Sequence, residues 1–445
     1  MKIQLSDHFD YKRLLSFAFP SICMMIFTSI YSVVDGFFVS NFVGKIPFAA
    51  VNFIMPILMI VGAVGTVFGT GGSALVAKTL GEGDHEKANR LFTLFIILPA
   101  VIGLVTTVIG ELVLPDLAAL MGAEGEMLEN CIRYGRISLL TMAPFMMQYA
   151  YQSFFVTAEK PQLGFIFTVG AGVCNIVLDA LFIVVFGWGI EGAALATGIS
   201  EVFGGIAPCI YFARKNTSLL RLGKTHFDGP SILKAATNGM SEFVSTISMS
   251  VVGMLYNIQL LKYAGEDGVA AYGVIMYVNF MFIAIFIGYA VGTAPVIAYH
   301  FGAENHSELK SLLRKSTVII GMFAIALFAA AELLAGPVAD IFVGYDADLR
   351  AMTVEGFRIY SVSFLMCGFC IFGSSFFTAL NNGLISATIS FMRTLIFELG
   401  AVLLLPLILG LTGIWCSIIV AEAASLVLTV TFIYAKRNKY HYIRR

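Results

Sequence analysis

Long apolar runs separated by short polar stretches account for almost the whole chain. Measured against the roughly 20 residues that cross a bilayer as helix, they predict twelve spans. These lie at 14–42, 47–77, 91–114, 132–157, 162–186, 190–213, 231–261, 268–299, 312–335, 352–380, 384–410 and 412–435. The longest polar connection, 214–230, falls between the sixth and seventh. The pattern predicts an all-α membrane protein with two six-helix bundles, residues 1–213 and 231–445, joined by a linker at 214–230. No stretch remains for a soluble domain of useful size.

The second half repeats the first. Gly71, Ala77, Gly81 and His85 recur 221 residues later as Gly292, Ala298, Gly302 and His306. Ala49, Ala50, Ile54 and Met55 recur in the same register as Ala270, Ala271, Ile275 and Met276. An internal duplication of this kind implies pseudo-symmetric halves, which transporters use to hold a binding site between two moving units.

Composition agrees with a bilayer environment: 58% of residues are hydrophobic and 12% charged, with mean hydropathy +0.88, against about one-quarter charged in soluble domains. The net charge of -1 implies no nucleic-acid partner. The polar start of the chain, with Asp7 and Asp10, is not followed by a short apolar segment and cleavage site, so the first span is expected to persist as a helix. Of the 27 Lys and Arg residues, 20 fall on the side of the termini and linker, six on the other, and Arg393 within a span. The positive-inside rule then predicts a multi-pass protein of the inner (plasma) membrane with both termini cytoplasmic.

Seven ionisable residues remain at membrane depth: Asp35, Asp179, Glu201, Glu242, Glu398, Glu422 and Arg393. Each is costly facing lipid and is expected to face a cavity or a partner. Asp35 lies seven residues before the outer end of span one, Asp179 seven before that of span five, and Thr197 seven beyond the outer start of span six. At 1.5 Å per residue all three sit about 10 Å deep. Asn175 shares a helix face with Asp179, Glu201 with Thr197, and Tyr31 with Asp35, each one turn apart. Two carboxylates, an amide and a hydroxyl at one level suit a proton or a small hard cation such as sodium. For Arg393, structural pairing with Glu242, Glu398 or Glu422 is the favoured reading.

Other motifs carry less. Gly65, Gly69, Gly71 and Gly72 lie inside a span without the lysine of a phosphate loop, and read as close helix packing. Cys367 and Cys370 lack a second ligand pair and read as small apolar filler. The six histidines form no metal motif, and no ATPase motif is present. Pro20 and Pro56 mark bends inside helices, Pro20 on the same helix as Asp35.

At this level the chain resembles the multidrug and toxic compound extrusion (MATE) family along nearly its whole length. The likeness rests on twelve spans in two bundles and on the segment Gly81, Glu82, Gly83, Asp84, His85, Glu86, Lys87 with its echo Gly302, Ala303, Glu304, Asn305, His306. Gly413, Ile414 and Trp415 at the start of span twelve complete it. The chain looks closest to the MepA-like members. Asp35, Asn175, Asp179 and Thr197 match the first-bundle cation site of the DinF-like branch, and Pro20 its bending position. Gln148 and Gln152 look like part of the drug-facing cavity, with Tyr31 and Glu201. Glu242 is similar to the span-seven glutamate of the NorM-like branch, whose second-bundle aspartate has no counterpart. Ser241 stands where many relatives have proline.

The resemblance implies a monomeric antiporter, not an enzyme. It would need no cofactor, be coupled to protons or sodium, and export amphipathic, often cationic organic compounds by alternating access. The alternative of the same architecture is a lipid-linked oligosaccharide flippase. That function calls for basic cavity residues to hold a pyrophosphate, and here the intramembrane charge is acidic apart from Arg393.

Overall fold

A computed structural model describes residues 3–442, and among these the chain is helical throughout with no strand. Lys2, Arg444 and Arg445 of the basic residues counted above lie outside the described residues. Twelve spans form, α1 to α12. Eight are single rods: α1 (Tyr11–Val43), α2 (Lys45–Gly81), α3 (His85–Leu120), α5 (Pro161–Val185), α6 (Gly189–Ala213), α9 (His306–Val343), α11 (Gly383–Leu409) and α12 (Leu411–Tyr440). The segment Gly229–Gly302 breaks at Gly265, whose φ of 65° and ψ of −154° suit glycine, into α7 (229–264) and α8 (266–302).

The remaining two spans, the fourth and the tenth, are each built from two shorter helices. α4 comprises Gly125–Leu140 and Met142–Thr157, interrupted at Thr141. α10 comprises Ala347–Ser361 and Phe364–Ala379, bent by 47°. The two breaks stand 221 residues apart, so the duplication extends to the irregularities of the backbone. α7 runs unbroken through Ser241 and α1 through Pro20.

Large apolar side chains such as Leu112, Leu333 and Ile408 are exposed on the outer faces. In water this would drive aggregation; around a membrane-spanning bundle it is the surface that meets lipid.

The repeated glycines lie where the halves meet. A Cβ on Gly81 would overlap the carbonyl oxygen of Tyr299, and one on Gly302 would overlap that of Lys78. Because 221 residues separate 78 from 299 and 81 from 302, the contact is reciprocal, as a two-fold interface requires. The following helices open on equivalent caps. Asp84 accepts from the Lys87 N–H at 2.9 Å, and Asn305 from the Glu308 N–H at 3.1 Å. Farther along α7 and α8, Gly253 and Gly273 meet nothing within 4 Å. The bundles are therefore in close contact at the end that carries the termini, while Gly253 and Gly273 face the cavity.

Two polar segments strap the end that carries the termini. Near the N-terminus, the Leu5 N–H donates to Glu159 of the first bundle at 2.7 Å and the Phe9 N–H to Glu308 of the second at 2.9 Å. His8 Nδ1 bonds the other Glu308 oxygen at 2.6 Å. The connection after α6 lies along α3, with the Arg221 N–H on Asn89 at 2.7 Å and the Thr225 hydroxyl on the Arg90 carbonyl at 2.9 Å. It ends at Asp228, which caps α7; hydrogen bonds from the Ser231 hydroxyl and N–H hold its carboxyl below the usual range.

Candidate functional site

Two polar clusters and one large cavity occupy the membrane interior. In the first bundle, α1 brings Asp35, α5 brings Asn175 and Asp179, and α6 brings Thr197. Asn175 Nδ2 donates to the Thr197 hydroxyl at 3.4 Å, which ties α5 to α6. The Asp35 carboxyl stands within electrostatic reach of Asp179 and beside Asn175. Asp179 is 0% exposed and Asn175 1%. Both Asp179 oxygens, one Asp35 oxygen and Asn175 Oδ1 are buried without a hydrogen-bond partner among the described residues.

Buried acceptors with no donor are expensive, and two carboxylates facing each other more so. A proton or a compact cation between them relieves both costs. Chain geometry favours the position: π-helical turns, which recur at functional sites, occupy Val39–Val43 just past Asp35 and Ala180–Val185 directly after Asp179. No group of three or more His, Cys, Asp or Glu residues suited to a metal ion occurs among the described residues.

Glu201, a turn beyond Thr197, is held by the Thr141 hydroxyl at 2.7 Å. Thr141 is the residue at the break of α4. Seven residues earlier, and so on the same side of that span, Tyr134 is buried with its hydroxyl unpartnered. It stands within electrostatic reach of Asp35, Glu201 and Asp179. Neither Thr141 nor Tyr134 was singled out from sequence; their common face on a span opposite two acidic helices was the available signal.

The cavity, of about 790 Å³, belongs mainly to the second bundle. Met249, Tyr272, Met276 and Phe280 supply apolar wall; Glu242, Arg393, Glu398 and Glu422 supply charge. α1 adds Met25, Thr28 and Ser29 and α2 adds Asn52 and Thr70. Arg393 is paired: Nε lies 2.9 and 3.1 Å from the Glu422 oxygens and Nη2 2.6 Å from Oε1. Glu242 and Glu398 have neither hydrogen bond nor ion pair through their carboxyls among the described residues.

Tyr31, Gln148, Gln152 and Glu201 do not line this cavity. Gln148 and Gln152 are buried in the first bundle beside Tyr151, Thr168 and Pro208, around a void of about 10 Å³. α1 links the two regions, with Ser29 on the cavity and Asp35 in the carboxylate pair within two turns of one another.

A family model described as MatE matches residues 20–181 and 243–403. The multidrug export protein MepA of Staphylococcus haemolyticus (strain JCSC1435) is 25% identical over 431 residues, covering 96% of this chain and 94% of that protein. MepA of Staphylococcus aureus (strain MSSA476) is 24% identical over 434 residues, with the same coverage of 96% and 94%. Among solved structures, an outward-facing multidrug resistance MATE family transporter of the MOP superfamily superposes with a TM-score of 0.92, at 24% identity and 98% coverage of each chain.

Proposed function

The chain belongs to the MATE family, and from that premise we propose that it is a cation-coupled antiporter that exports amphipathic, often cationic organic compounds. The observation that carries the reading is the Asp35 and Asp179 pair, whose buried oxygens lack donors. Asp35, Asn175, Asp179 and Thr197 take up the coupling proton or sodium ion from outside, and the compound occupies the cavity of the second bundle. The names of the curated relatives, which are multidrug export proteins, support the class of cargo.

Because α1 lines the cavity with Met25, Thr28 and Ser29 and holds Asp35 as well, a change at the carboxyl pair reaches the cavity along one helix. Pro20 interrupts the hydrogen bonding of that helix nearer the terminus-bearing end and serves as its hinge. Ion entry alters the α1 packing, lowers the hold on the compound in the outward-open state and favours closure. Inward movement of one charge releases about 2.3 kcal/mol per 100 mV, which drives the cycle. The side carrying the termini and the 214–230 linker is cytoplasmic, the membrane is the inner (plasma) membrane, and the protein acts as a monomer.

The flippase reading is the weaker one because the guanidinium of Arg393 is already held by Glu422 and is not available for a pyrophosphate. The test is ethidium efflux from cells expressing the wild type or Asp35→Asn, with the sodium and proton gradients collapsed separately. One gradient is expected to be required, and Asp35→Asn to lose efflux. Undiminished efflux by Asp35→Asn would sink the coupling site.

A further inference from the structure

The second-bundle cluster has a feature that ion coupling does not use. Two carboxylates, Glu398 and Glu422, face one guanidinium, and Arg393 spends its hydrogen bonds on Glu422, which is 2% exposed. Residues Met392–Glu398 form a π-helical run. Its i→i+5 bonding stacks Arg393 and Glu398 one turn apart on the same side, the side that lines the cavity. With both carboxyls ionised the cluster carries one uncompensated negative charge, and it resides on Glu398.

Independent groups point to the same place. The repeat offset that carries Asp35 into the second half lands on Tyr256, which is 1% exposed with its hydroxyl unpartnered. Tyr256 is within electrostatic reach of Glu398 and Glu422. It stacks on Tyr272 with ring centroids 4.9 Å apart and planes at 11°, and Tyr272 lines the cavity. Asn279, also on the cavity wall and 5% exposed, has an unpartnered Oδ1. Buried polar groups left without partners beside an unpaired charge mark a place prepared for a ligand.

We propose that Glu398, with Tyr272 and the Asn279 oxygen, is the charge-recognition site for a monocationic amphiphile, and that Arg393 is a tethered cation that keeps Glu422 from competing for it. The cation's nitrogen pairs with Glu398, its apolar body lies along Tyr272 and Met276, and the positive edge of its ring or ammonium group meets the π face. The inference rests on the export reading and names the charge class that the cavity selects.

Equilibrium binding of ethidium and of the uncharged dye N-phenylnaphthylamine to the purified full-length protein tests it, with wild type, Glu398→Gln, Glu398→Asp and Glu242→Gln compared. Glu398→Gln is expected to weaken ethidium by about tenfold or more, leave the uncharged dye unaffected, and be largely rescued by Glu398→Asp. Wild-type ethidium affinity in Glu398→Gln overturns the assignment, as does an equal loss of both dyes or a loss confined to Glu242→Gln. In the wild type, ethidium should slow modification of Glu398 by dicyclohexylcarbodiimide, read by peptide mass; unslowed modification overturns it without reliance on a variant's folding. A wild type that binds ethidium through Glu398 but exports nothing under either gradient would sink the export reading and leave the binding site standing.

Discussion

The two bundles place polar clusters on corresponding helices, α5 with α6 and α11 with α12, yet complete them differently. In the first, two aspartates carry buried oxygens that no donor among the described residues satisfies. In the second, Arg393 supplies the positive charge from within the chain and locks onto Glu422. A diffusible ion can enter and leave, and so can report a gradient; a guanidinium on a side chain cannot. On the proposed reading, duplication produced two equivalent frames, and a single arginine reserved ion exchange for one of them.

The largest expected effect tests the built-in cation. Glu422→Gln takes from Arg393 its one hydrogen-bonded carboxylate and leaves only the unbonded Glu398 nearby; it should destabilise the protein by up to about 3–5 kcal/mol, seen as a lower thermal midpoint of the purified protein. Replacing Arg393 and Glu422 together with Met should cost much less, because the pair is removed as a unit and Glu398 keeps the unpaired carboxyl it already has. Equal losses from the single and double changes would show that the pair is not the source of the effect.

Next comes the exchangeable site. Asp35→Asn should reduce gradient-driven ethidium efflux about a hundredfold, a coupling energy in the upper part of the usual range, and abolish any dependence of ethidium affinity on sodium or pH. Retention of that dependence would move the coupling site elsewhere, and Glu242→Gln would then be the variant to examine.

The seam between the bundles gives a smaller effect. Gly81→Val places a side chain against the Tyr299 carbonyl only while the terminus-bearing end is closed. Overpacking of about 1–3 kcal/mol should shift the population toward opening at that end. Thiol labelling of Ser248→Cys in a background without native cysteines, applied from each side of the membrane, reads the shift. Gly302→Val should reproduce it if the two contacts are truly reciprocal. The smallest effect is expected of His8→Ala: the His8 side chain is 71% exposed, so its pairing with Glu308 should contribute about 0–1 kcal/mol to the thermal midpoint. Glu308 retains the Phe9 N–H in that variant.

Much of this molecule is one-dimensional information. Bilayer thickness and helical rise convert apolar run length into spans, so the chain alone determined their number, their ends to within several residues and the linker between them. The repeat of 221 residues likewise announced two matched halves, and counting residues from span ends predicts one depth for Asp35, Asp179 and Thr197. What tertiary structure decided was direction around each helix axis. Sequence offered Arg393 three glutamates and packing chose Glu422. The 221-residue offset carries Asp35 onto Tyr256, and only packing brings that hydroxyl within electrostatic reach of Glu398 and Glu422. Gln148 and Gln152 share a span face but turn into a packed void away from the large cavity. Depth follows from residue number, but azimuth depends on π turns that rotate everything beyond them and on contacts with helices hundreds of residues away. Those contacts exist only once the bundles have packed.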